Sequence, residues 1–119
     1  MNYNDKTYII FEMRRRGFKY YTSAREFVRG MKCLRARKLT SAMASISRVT
    51  KLDSDNPYGW AYMLFIMEDI GGFTAGQLAD TAAKWTEAAI KYKYQGQDAL
   101  ATSYLLRYVK IYEKGDCEQ

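Results

Sequence analysis

Between Ser23 and Trp60 the chain passes through two amphipathic helical patterns and enters a third, with breaks so short that each helix must fold back on the one before it. Ala24, Phe27, Val28, Met31 and Leu34 recur at three- and four-residue steps and leave Arg25, Arg29 and Lys32 on the opposite side. Ser23-Ala24-Arg25-Glu26 fits a capping box, which predicts that this helix starts at Ser23. After a break around Lys38-Leu39, Thr40 or Ser41 can cap a second helix that turns Ala42, Met43, Ile46 and Val49 toward the first. Small residues at Ala42, Ala44 and Ser45 permit close approach of the two. Asn56-Pro57 is a strong start for the next helix, because Asn caps and Pro suits a first position that needs no amide donor.

That helix is expected to run from Pro57 to about Ile70. Trp60, Tyr62, Met63, Leu64, Phe65, Ile66 and Met67 place apolar groups nearly all around it, so it should lie between neighbours at the centre of the core. Gly71-Gly72 ends it, and Thr74-Ala75-Gly76-Gln77 offers a capping box for a helix through about Tyr92, with Leu78, Ala82, Trp85, Ala89 and Tyr92 as its inward stripe. Beyond Gly96, Asp98 can cap a last helix in which Ala101, Leu105, Tyr108, Val109 and Tyr112 share a face, stopped by Gly115. At the other end Asn4 can cap a helix through Arg16, closed by Gly17. Thr7-Tyr8-Ile9-Ile10-Phe11 would also suit a strand, but no second strong strand candidate exists to pair with it, and helix is the better reading. The expectation is an all-α fold of five to six helices in antiparallel hairpins.

A chain of 119 residues with 48% hydrophobic content is one domain's worth. It divides into a basic N-terminal helix and connector (1–22), a helical domain (23–113) and a short tail (114–119). The longest apolar run, Trp60 to Met67, has eight residues, against roughly 20 for a membrane-crossing helix. The first residues carry no leader pattern, so a cytoplasmic location with no membrane partner is expected. Two cysteines, Cys33 and Cys117, are too few for a disulfide framework, and Cys33 reads as a small core residue. The net charge of +6 is unevenly spread: residues 1–40 hold eleven Lys/Arg against three Asp/Glu, and the remainder eight against ten. Such polarity predicts that the N-terminal end attracts an anionic partner.

The spacing of Gly30, Ala42 and Trp60 resembles the tetratricopeptide repeat, a helix–turn–helix unit of about 34 residues. Gly30 stands at the family's first-helix glycine, Ala42 at its second-helix alanine and Trp60 at its repeat-opening tryptophan, over roughly residues 23–112. Leu52-Asp53-Ser54-Asp55-Asn56 is similar to the acidic inter-repeat turn, with Ser54 where proline is usual. The chain departs from the family at Val49 (for alanine), at Leu64 (for glycine) and in a lengthened stretch from Gly71 to Gln77. The resemblance implies a short stacked array, about two and a half units long, whose first helices line a concave groove. Its residues would be Phe27, Met31 and Arg35 in the first unit, Tyr58, Tyr62 and Phe65 in the second, and Tyr104 and Tyr108 in the last helix. Members that clamp a terminal carboxylate use Lys, Asn and Arg where Phe27, Met31 and Tyr62 stand here, so that ligand class is not implied.

Catalysis is the least supported class. The chain has no His, the commonest general base and metal ligand, and it lacks a Gly-rich phosphate loop, a paired-Cys metal spacing and a nucleophile elbow. Neither a cofactor nor a metal is expected. The leading reading is a protein-binding module (adaptor, chaperone or inhibitor) with an aromatic groove, flanked by a basic face that suits an acidic protein. The alternative is nucleic-acid binding through that face, built from Arg14, Arg15, Arg16, Lys19, Arg25, Arg29 and Lys32, in which Phe18, Tyr20 and Tyr21 interleave with the cations. Short arrays also leave uncapped apolar ends, so a homodimer is a further expectation.

Overall fold

The computed structural model describes residues 5–92, and the expectations for Tyr104, Tyr108, Cys117 and the helix after Asp98 lie outside them. Five helices follow in order: α1 (Lys6–Arg15), α2 (Tyr21–Arg35), α3 (Leu39–Leu52), α4 (Pro57–Ile70) and α5 (Ala75–Tyr92). No strand occurs among the described residues. Each helix packs on its chain neighbours, α1 on α2, α2 on α3, α3 on α4 and α4 on α5. The fold is an all-α serial stack.

The helix ends show which local signals hold. Asp5, not Asn4, caps α1: its carboxylate accepts from the Thr7 and Tyr8 amides at 2.7 and 3.2 Å. Gly17, at φ 69°, takes the left-handed turn that follows. Asn56 accepts from the Tyr58 amide at 2.9 Å, with Pro57 in the first turn of α4. Thr74 and Gln77 form the expected reciprocal box at the start of α5.

Two further expected caps do not form. The α2 helix begins at Tyr21 and has no side-chain cap, because the Ser23 hydroxyl donates to the Tyr20 carbonyl at 2.8 Å instead of accepting from an amide. Glu26 is drawn away by Arg29 and by Arg48 on α3. The α3 helix begins at Leu39, ahead of Thr40 and Ser41, also without a side-chain cap.

Packing follows the apolar stripes. Phe27 and Val28 of α2 meet Ala42, Ile46 and Val49 of α3 in one buried cluster, which also takes in Ile9, Phe18 and Ile66. Ala61 and Leu64 of α4 join Ala82, Trp85 and Ala89 of α5 in a second. Because α4 contributes Ile66 to the first cluster and Leu64 to the second, it is the shared wall its all-round apolarity requires. Gly30 sets the α2–α3 distance, since a Cβ there would come within 2.6 Å of Ile46 Cδ1. Gly59 does the same between α4 and α3, where a Cβ would stand 3.0 Å from Val49 Cγ1. The valine that departs from the repeat pattern is thus accommodated by a glycine on the facing helix. Ser45 is buried at the α2–α3 contact, whereas Ala44 faces solvent and takes no part, and Cys33 sits half-buried at the core's edge.

Candidate functional site

The aromatic residues expected to line a groove form a spine through the interior. Phe18 contacts Phe27 (ring centroids 4.9 Å), Phe27 meets Tyr62 edge-on at 5.1 Å, Tyr62 meets Phe65 at 5.6 Å, and Phe65 meets Trp85 at 5.6 Å. Phe27 is fully buried and Met31 nearly so, which removes both from any open groove. Tyr58, Tyr62 and Phe65 are half-buried against the two clusters, and only Arg35 of the six described groove candidates is exposed. The cause is the α1–α2 connector, which lays Phe18 and Arg16 over the Phe27 ring.

Arg16 accordingly leaves the basic face. Its guanidinium lies 4.8 Å from the Tyr58 ring centre, 5.2 Å from Phe27 and 6.0 Å from Tyr62, in an aromatic cage. Its charge is met by Glu12, which is 2% exposed; Glu12 Oε2 and Arg16 Nε face one another and have no other hydrogen-bond partner among the described residues. Ile9, Met13 and Arg16 fall at helical steps along the inner side of α1, but the run Arg14-Arg15-Arg16 reads as one basic patch until that side is fixed.

The connector is clasped by the α3–α4 turn. Asn56 Nδ2 donates to the Arg16 carbonyl at 2.9 Å, and the Lys19 amide donates to Asp53 Oδ2 at 2.8 Å. Asp53 is buried, and that burial pushes its carboxyl above the ordinary value of 3.8, against the lowering effect of the Lys19 hydrogen bond. Asp55 instead bonds Lys91 Nζ at 2.8 Å and Lys19 Nζ at 3.5 Å, and the Lys91 bond holds its carboxyl below 3.8. Beside it a shallow hollow of about 390 Å³ opens between Ser54, Trp60, Lys84, Glu87 and Lys91. Charges of both signs line it, and Lys84 lies over the Trp60 ring at 5.0 Å. Among the described residues no three His, Cys, Asp or Glu side chains gather as they would to hold a metal ion.

The remaining basic residues face outward. Arg14, Arg15, Lys19, Arg25, Arg29 and Lys32 are all exposed. The three carboxylates of the same stretch are engaged: Asp5 caps α1, Glu12 is buried under Arg16, and Glu26 is held by Arg29 and Arg48. Arg14, Arg25 and Lys32 meet no carboxylate among the described residues. Exposed aromatic rings share the region, with Phe11 52%, Tyr20 54% and Tyr21 38% accessible. The surface of α1 and α2 is thus nearly single-signed and studded with rings. None of the described helices is long and apolar enough to cross a membrane. No family model matches the chain, and no curated protein or solved structure matches it either.

Proposed function

We propose that the protein is a non-enzymatic binding module, a short array of helical hairpins of the tetratricopeptide kind, that docks an anionic macromolecule on the basic face of α1 and α2. The observation that carries this reading is the fate of the three N-terminal carboxylates. With Asp5, Glu12 and Glu26 all engaged, the excess positive charge of residues 1–40 is presented to solvent by Arg14, Arg15, Arg25, Arg29 and Lys32. A one-signed face of this kind steers an anionic partner and speeds encounter more than it deepens final affinity. Adaptor, chaperone and inhibitor roles all fit, because each needs a complementary surface and none needs chemistry at it.

Serial packing and the tight Gly30–Ile46 contact support the hairpin-array part of the reading. The burial of Phe27 and Met31 leaves them little surface to offer a ligand and supports a reading centred on the outer basic face. The test is retention on a heparin matrix of the wild type and of Arg25→Glu/Arg29→Glu/Lys32→Glu, with far-UV circular dichroism as the control for folding. The expected result is a folded variant that elutes at much lower salt than the wild type. Equal elution of the two proteins contradicts the proposal.

A further inference from the structure

We infer that the anionic partner of this face is a single-stranded nucleic acid, tracked along α2; the inference rests on the binding reading above and names the chemistry of its partner. Tyr21, Arg25, Arg29 and Lys32 are all exposed, and at 100° per residue they fall within an arc of about 80°. At 1.5 Å per residue that line is about 16 Å long. It puts one ring at the head of three cations, and Tyr20 supplies a second ring beside the first.

The rings stand on a fixed backbone. The Tyr20 carbonyl accepts from both the Ala24 amide and the Ser23 hydroxyl, at 3.1 and 2.8 Å, so their exposure is not that of a loose loop. On α1 the pattern of an aromatic followed one turn later by arginine recurs, where Arg15 approaches the exposed Phe11 ring at 5.9 Å. An acidic protein surface would satisfy the cations and could pack on the rings, but it does not repeat the two features in register along a line. A single strand satisfies both, because every unpaired base has a face to stack and every linkage a phosphate. Of the three cations, only Arg29 holds a partner among the described residues, Glu26 at 3.4 Å on the surface, a contact weak enough to exchange for phosphate.

The experiment is fluorescence anisotropy of the full chain with three labelled probes: a mixed-sequence single strand of 15 nucleotides, the duplex of the same sequence, and poly-glutamate of similar charge. The single strand is expected to bind tightest. Its log K should fall with log salt at a slope of about −2 for three phosphate contacts, or about −3.5 if Arg14 and Arg15 also engage. Tyr20→Ala/Tyr21→Ala should weaken the single strand about tenfold and leave poly-glutamate unchanged, while Tyr20→Phe/Tyr21→Phe keeps the affinity. Arg25→Ala/Arg29→Ala/Lys32→Ala should weaken every probe and flatten the slope by about 2. Poly-glutamate or duplex binding as tight as the single strand, or a tyrosine variant with no effect, overturns the inference while leaving the basic face in place. If the triple variant binds every probe like the wild type, or no probe binds, the underlying reading fails as well.

Discussion

The most consequential single contact is the ion pair between Glu12 and Arg16, enclosed by Phe27, Tyr58 and Tyr62. Breaking a buried pair costs about 3–5 kcal/mol when it strands a charge, and among the described residues only Glu12 retains a second cation, the half-exposed Arg15 at 3.6 Å. Urea unfolding of Glu12→Ala and of Arg16→Ala is expected to show losses of that size. The double variant should lose less than the sum, because neither charge then remains stranded. Additive losses would mean that the two side chains are held by separate surroundings. Gly30 gives a second test at this scale. Alanine there gains about 1 kcal/mol of helix propensity, but its Cβ meets the terminal atoms of the fully buried Ile46, and overpacking costs about 1–3 kcal/mol. Gly30→Ala should therefore be neutral to destabilising in thermal melts, and Ile46→Val should cost less in that background than alone. The close approach of α2 and α3 was legible from the small residues Ala42 and Ser45. The caging of Arg16 was not, because a run of three arginines reads as a solvated patch until the inner face of α1 is fixed.

Among the elements, the α3–α4 turn does the most positioning, since it caps α4 and also holds the connector that roofs Phe27. Asn56→Ala removes both the cap and the bond to the Arg16 carbonyl, and a loss of about 1–3 kcal/mol is expected. Asp53 makes a test by pH. Its carboxyl is raised in the folded state, so ionisation costs stability as pH rises from 3.8 through the folded value, and the cost is absent below 3.8. Asp53→Asn, which can still accept from the Lys19 amide, should equal or exceed the wild type in stability at pH 7 and lose that advantage in acid; a constant difference across the range would contradict the burial argument. Asp55 behaves oppositely. Its lowered carboxyl contributes stability above 3.8 that is lost as pH falls through the folded value. The start of α4 could be read directly from Asn56-Pro57, and that of α5 from Thr74 and Gln77, because those caps use only local partners. Ser23 and Glu26 carried the same local signature and failed, since Arg48, 22 residues away on α3, competes for the carboxylate.

At the scale of the whole molecule, charge polarity was the feature the sequence carried most faithfully, because it needs only a count. Which aromatic residues faced solvent needed the tertiary structure. The repeat rule assigned Phe27 and Met31 to an open groove, and the connector from α1 closed it, while Tyr20 and Tyr21 stayed outside on a pinned backbone. On the proposed reading, recognition belongs to the basic flank of the stack and not to its inside. Docking on this flank would be read out by a map of backbone amide shifts in the labelled full chain as a 15-nucleotide single strand is added. The largest shifts are expected to cluster at Tyr20, Tyr21, Arg25, Arg29 and Lys32, with further changes at Phe11, Arg14 and Arg15. Shifts confined to the hollow around Trp60, Lys84 and Lys91, or none at saturating strand, would contradict docking on the flank.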